Sequence, residues 1–287
     1  MPGAQPAGKS RLGLSFLARR SNLMLRIVSS AVLAPLAIAA AWFGGIPFIL
    51  FWAIAALLVL WEWDTLVCEH DRTPVLLTGL VALGGSGLVL AFGRAGVAAA
   101  LIVLGFFAVA ALASRIRRGW CAAGLAYASA LLIAPVLLRS DAVLGFTVIL
   151  FLFVVVWLTD IVAYFVGRAA GGPKLMPRVS PNKTWSGAIG GTLAAVFGGA
   201  LVAHQAGIDP RGAAAVALVL SVISQAGDLL ESAVKRRFDA KDAGSLIPGH
   251  GGLMDRLDGF VAAALAGALI GIAHGGIDAP ARGLMVW

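Results

Sequence analysis

Val143-Leu-Gly-Phe-Thr-Val-Ile-Leu-Phe-Leu-Phe-Val-Val-Val-Trp-Leu-Thr-Asp160-Ile-Val-Ala-Tyr164-Phe-Val166 is apolar almost throughout, with Asp160 as its one acidic residue. A helix rises about 1.5 Å per residue, so a run of about 20 such residues crosses a hydrocarbon layer of about 30 Å. Working outward from 143–166, eight further runs of comparable character occupy 25–43, 47–66, 75–92, 95–113, 122–138, 185–206, 213–230 and 259–274. Glycine, proline or charge separates them. The fold class expected is therefore all-α, a polytopic integral membrane protein with about nine transmembrane helices. Composition agrees: the 287 residues are 60% hydrophobic and 13% charged, against roughly 45–50% and 25% in soluble domains. An ordinary soluble enzyme and a disordered chain are both excluded.

The net charge of +8 would suggest nucleic acid in a soluble protein. Here Lys and Arg alternate with the spans instead. With a cytoplasmic N-terminus, only Arg94, Arg139, Arg211 and Arg282 of the 22 basic residues fall outside, the bias of the positive-inside rule. No nucleic-acid partner is expected. The long basic start and span-length first run favour a retained first helix over a cleaved signal, although Ala39 and Ala41 resemble a cleavage site. The organisation read from this is a basic cytoplasmic tail over 1–24, about five N-terminal helices over 25–138, and a C-terminal region over 143–287. That last region holds about four helices and two long cytoplasmic loops, 167–184 and 231–258. Cys68 and Cys121 provide no disulfide framework and read as two reduced, unpaired thiols.

The first five spans look chemically quiet. Glu62 and Asp64, at one end of the second span, read as water-facing residues near the headgroups. Gly79, Gly84, Gly85 and Gly87 read as helix-packing positions, and Trp42, Trp52, Trp61, Trp63 and Trp120 as interfacial anchors.

The second half differs. Asp160, Tyr164 and Arg168 recur every four residues and share a helix face, and an ionisable residue inside a span marks a site by default. Ser180-Pro-Asn182-Lys183-Thr184 places hydroxyls, an amide and an ammonium before a helix whose positive end favours anions; the same residue types also serve as N-caps. Asp228, Ser232 and Lys235 share one face of the eighth span. Then follow Lys235-Arg236-Arg237, Lys241-Asp242, Ile247-Pro-Gly-His250-Gly-Gly and Asp255-Arg256-Leu-Asp258. Asp255 and Asp258, three apart, turn their carboxylates the same way. Carboxylates gathered among Lys and Arg at a membrane surface suit a Mg²⁺ that itself holds phosphate oxygens; the alternative is a solvated basic loop. His250 reads either as a turn residue or as a phosphate- or proton-handling group. His70, His204 and His274 read as structural.

The run from Ser232 through Lys235-Arg236, Lys241-Asp242-Ala-Gly244 and Ile247-Pro-Gly-His250-Gly-Gly-Leu-Met-Asp255-Arg256-Leu-Asp258 resembles the signature of the phosphatidate cytidylyltransferases, or CDP-diacylglycerol synthases. Ser224-Gln-Ala-Gly-Asp228-Leu, Asp160-Ile-Val-Ala-Tyr164 and Ser180-Pro-Asn-Lys183-Thr184 are similar to the family too, so the likeness covers 157–260; before that it is one of hydropathy alone. The resemblance implies transfer of CMP from CTP to phosphatidate with Mg²⁺, giving CDP-diacylglycerol and pyrophosphate. It implies metal binding by Asp228, Asp255 and Asp258, and phosphate binding by Lys183, Lys235, Arg236, Lys241 and Arg256. Ser180, Asn182, Thr184, Ser232 and His250 would orient those phosphates, with Asp160 a further ligand or a scaffold. It also implies a homodimer and leaves open a monovalent cation such as K⁺ beside the Mg²⁺; the spans and substrates place the protein in a cytoplasmic membrane, and the high Ala, Gly and Arg usage suggests a bacterial one. Two alternatives stand against it: a CTP-dependent lipid kinase of a related family, and an ion-coupled transporter. The transporter is disfavoured because the polar residues collect at span ends rather than at midplane.

Overall fold

In the computed structural model, residues 31–68, 72–244, 246 and 251–287 are described. The helices are α1 (Ala31–Phe43), α2 (Gly45–Val67), α3 (Arg72–Ala91), α4 (Ala95–Leu112), α5 (Arg118–Arg139), α6 (Gly145–Ala170), α7 (Trp185–Gln205), α8 (Pro210–Arg237), α9 (Met254–Gly275) and the short α10 (Pro280–Met285). Eight of these described helices, α2 to α9, are long and apolar enough to cross a membrane. The span expected at 25–43 is described from Ala31 onward, as α1. An all-α multi-pass membrane protein is thus what the chain forms, since in lipid every backbone N–H and C=O must be satisfied within its own helix.

Among the described residues, paired strands lie in the expected loop 167–184. Gly171 and Gly172 adopt φ of 61° and 99°, which ends α6 after Ala170. The chain then makes an antiparallel hairpin, β1 (Lys174–Met176) and β2 (Ser180–Thr184), with Lys174 opposite Thr184 and Met176 opposite Ser180. Thr184 closes the hairpin and caps α7, its hydroxyl accepting the Gly187 N–H at 3.2 Å. The second expected loop, 231–258, is also shorter than expected, because α8 continues to Arg237 and α9 begins at Met254.

Successive helices run up and down, so two ends of the bundle are defined. One end gathers the ends of α2, α6 and α8 with the starts of α5, α7 and α9. Here the sulfur atoms of Cys68 and Cys121, expected as two separate thiols, are brought together. Fifty-three residues separate them, and only the packing of α2 on α5 brings them together. At the far end Arg139 donates to the Ala41 carbonyl at 2.6 Å and Arg282 to Asp141 at 3.0 Å.

Small residues let α6 and α7 approach closely. A Cβ on Gly187 would stand 2.6 Å from the Ala163 carbonyl oxygen, and one on Gly191 would strike that of Thr159. A buried hydroxyl pair, Thr159 with Ser221 at 2.7 Å, ties α6 to α8. Gln225 on α8 donates to Thr192 on α7 at 3.0 Å. Such close backbones and interhelical hydrogen bonds do between membrane helices what the hydrophobic effect does in water. In the first half, Gly79 and Gly87 are packing positions as expected, against Leu60 and Ala53, whereas Gly84 faces open space. Trp52 and Trp63 are not interfacial: they are 1% and 5% exposed. Trp52 stacks on Phe260 of α9 at 4.7 Å, and the Trp63 indole N–H bonds the Trp120 carbonyl at 2.9 Å.

Candidate active site

The hairpin, α6 and α7 enclose a cavity of about 550 Å³ lined by Asp160, Tyr164, Arg168, Lys174, Asn182 and Lys183, with Thr184 and Gln225 at its wall. The four-residue spacing along α6 does what it implies: Asp160, Tyr164 and Arg168 all face this space, and Arg168 donates to the Tyr164 hydroxyl at 3.2 Å. From β2, Lys183 reaches across and ion-pairs with Asp228 on α8. Asp160 lies in the electrostatic field of Asp228, Lys183 and Arg256. Three segments that are far apart in sequence therefore meet at one charged wall.

A second cluster adjoins it. Lys235, on the last turns of α8, sits between Glu231 at 2.6 Å and Asp255 at 2.5 Å. The Asp255 carboxylate also accepts the Gly252 N–H at 2.8 Å and the Ala243 N–H at 3.0 Å. Asp258 accepts the Gly259 N–H at 2.7 Å and lies in the field of Asp228, Glu231 and Asp160, so it joins the two clusters. Asp255 and Asp258, three apart in sequence, have different hydrogen-bond partners. Asp255 is turned back to the helix start and Lys235, and Glu231 stands between the two.

The other expected site residues spread around this centre. Ser180 is half-buried at the start of β2, Asn182 is exposed at the cavity, and Thr184 is buried as the α7 cap. Ser232 is half-buried on α8, while Lys241, Arg236 and Arg256 are exposed; Arg236 donates to the Ala240 carbonyl at 3.1 Å. His250 lies outside the described residues.

Two residues at this end had not been expected, and two others lie differently from their reading. Glu231 is 2% exposed; in sequence it looked like half of an ordinary i, i+4 pair with Lys235. Tyr127 of α5 has a buried hydroxyl with no hydrogen-bond partner among the described residues, and it lies in the field of Asp258, Glu231, Asp228 and Asp255. Nothing in an apolar span singles out one tyrosine. Glu62 corrects a reading: it is 0% exposed rather than water-facing, and its carboxylate accepts the backbone N–H groups of Leu253 at 2.9 Å and Met254 at 2.7 Å. The rule that an ionisable residue within a span marks a site would have found it. Asp64 is likewise buried, at 1%.

Fold and site together define a multi-pass membrane protein that gathers carboxylates and ammonium groups around a cavity at one set of helix ends. The chain belongs to the cytidylyltransferase family, whose model matches residues 24–272. It is 47% identical over 266 residues to the phosphatidate cytidylyltransferase of Brucella suis biovar 1 (strain 1330), covering 91% of this chain and 97% of that protein. The phosphatidate cytidylyltransferase of Brucella abortus biovar 1 (strain 9-941) is 48% identical over 250 residues, 85% of this chain and 91% of its own. That of Bacillus subtilis (strain 168) is 48% identical over 122 residues, 41% of this chain and 44% of its own.

The family's nucleotide chemistry implies a divalent metal. The donors present suit a hard cation: they are carboxylate oxygens, those of Asp160, Asp228, Glu231, Asp255 and Asp258. Among the described residues no three such side chains form a ready metal-binding group. Lys183 holds Asp228 and Lys235 holds Asp255, while the concentration of negative charge around Asp258 is what a divalent ion would neutralise. The residues therefore fit the ion in chemistry, although Asp228 and Asp255 are each engaged by a lysine.

Proposed function

We propose that the protein transfers CMP from CTP to phosphatidate, giving CDP-diacylglycerol and pyrophosphate. The observation that carries this reading is the meeting of Asp160 and Lys183 at the wall of a cavity beside the helix ends, with Lys183 paired to Asp228 and Asp160 in the field of Arg256. One substrate is a lipid whose phosphate lies at the membrane surface and the other is a water-soluble nucleotide, so their reaction needs a charged site at that depth.

An oxygen of the lipid phosphate attacks the α-phosphorus of CTP in line. The new P–O bond forms as the bond to the β-phosphate oxygen breaks, and the electron pair leaves with pyrophosphate. No protein nucleophile is required, because the attacking phosphate is already anionic. The protein contributes position and charge neutralisation, the main terms in phosphoryl transfer. In this reading Lys183, Lys235, Arg236, Lys241 and Arg256 hold phosphates, and Ser180, Asn182, Ser232 and His250 orient them. Thr184 sets the start of α7 as well as lining the cavity, and Asp160 keeps Lys183 and Arg256 in place. Mg²⁺, held by Asp228, Asp255 and Asp258, would neutralise phosphate charge when bound, with a monovalent cation such as K⁺ as a further candidate. The region 143–287 is then the catalytic part, 25–138 its membrane support and 1–24 a cytoplasmic tail. A homodimer in the bacterial cytoplasmic membrane, with the site facing the cytoplasm, completes the proposal.

The test is a CTP assay on detergent-purified protein with phosphatidate and Mg²⁺, using label in the cytosine ring and, separately, in the γ-phosphate. Ring label entering the lipid phase, with γ-label released as pyrophosphate, is the expected result. γ-Label entering lipid would instead make the protein a CTP-dependent kinase, and movement of neither label would remove the reading.

A further inference from the structure

α9 starts at Met254 without a cap of its own, since its N-cap residue, Leu253, makes no side-chain capping bond. The first N–H groups of a helix have no partner within it, and here they are inside the protein. Glu62, near the end of α2 and 191 residues before Leu253, supplies the partner: one oxygen accepts the Leu253 N–H at 2.9 Å and the other the Met254 N–H at 2.7 Å. A carboxylate at this position also meets the positive end of the helix dipole. The chain on either side closes around the same group. A Cβ on Gly244 or Gly252 would stand 2.8 Å from a Glu62 oxygen, so both sides of the basic loop pass over the carboxylate where only glycine has room. Asp255 and Asp258 follow one and four residues after Met254.

We infer that Glu62 is a positioning residue for CMP transfer: it replaces the missing cap of α9 and so sets Asp255 and Asp258 against Lys235 and Asp228. The inference rests on the function proposed above, and it makes the N-terminal helices part of the site rather than support alone. Glu62→Gln keeps the shape, but its amide offers one acceptor and a donor where two N–H groups point. Expected for that variant in detergent are a kcat at least tenfold lower, a KM for phosphatidate within twofold of wild type, and hydrogen exchange at the Leu253 and Met254 amides at least tenfold faster. The amides of Ala262–Gly271 should exchange unchanged, and Glu62→Asp, which keeps the charge, should recover part of kcat.

Wild-type kcat per folded molecule in Glu62→Gln overturns the inference, and so does wild-type protection of those two amides. If Glu62→Gln does not fold, Gly252→Ala takes its place: the added methyl pushes the loop off the carboxylate without altering its charge, and the same kcat loss and faster exchange are expected. Absence of CMP transfer by the wild-type protein would remove the proposed function alone, because the exchange measurement still decides whether Glu62 holds the start of α9.

Discussion

Lys183 and Lys235 both hold an aspartate, in very different surroundings. The Lys183–Asp228 pair keeps side-chain exposures of 28% and 27%. Lys235 stands between Glu231 and Asp255, which keep 0% and 8%. Removing one partner of a buried pair strands a charge and costs about 3–5 kcal/mol, whereas an open pair contributes about 1 kcal/mol or less. Lys235→Met is therefore expected to lower the thermal midpoint sharply along with activity. Lys183→Met should leave the midpoint nearly unchanged while kcat falls about 100-fold, the usual loss of one charge-stabilising donor. Melting curves and kcat on the same detergent preparations check this, and equal melting losses would contradict the burial argument. Residue type and spacing made both lysines, and Asp228, Asp255 and Asp258, legible in the sequence. Glu231, Trp52 and Trp63 were not, because their burial depends on helices that cover them from distant parts of the chain, and hydropathy along one span carries no record of its neighbour.

Between elements, the α6–α7 contact sets the cavity wall, and glycine sets how close the contact is. On Gly191→Ala the methyl would meet the Thr159 carbonyl oxygen, a backbone atom that cannot swing aside. Asp160 is the next residue. Overpacking of this kind costs about 1–3 kcal/mol, so a lower melting midpoint and reduced CMP transfer are expected. Gly84→Ala, where nothing lies within 4 Å, should instead stabilise α3 by about 0.5–1 kcal/mol through helix propensity. Thermal melts of the two variants side by side check the contrast. The positions of α2 to α9 were legible, with α7 expected at 185–206 and found at Trp185–Gln205. Helix ends beyond the apolar run were not: α8 was expected over 213–230 and reaches Arg237, since hydropathy marks only what lipid covers, while backbone hydrogen bonding carries the helix on into charge. The hairpin was missed for the opposite reason, because its Gly, Pro and Ser content reads as loop and three paired residues leave no alternation to detect.

Taken whole, the bundle places Arg178 and Arg282 at opposite ends, and the charge bias of the sequence predicts that the Arg178 end faces the cytoplasm. Cys68 and Cys121 are buried against each other, which leaves a quiet background for labelling. Arg282→Cys should react with a membrane-impermeant maleimide in right-side-out vesicles, and Arg178→Cys only after permeabilisation; the reverse pattern would invert the orientation. The bond from Leu253 to Glu62 also has a meaning in time. A ribosome adds about 5–20 residues per second, so the 191 residues between these partners correspond to about 10–40 s of synthesis. Through that interval α2 waits in the membrane with a carboxylate whose partners do not yet exist, and the site closes only when one of the last helices arrives.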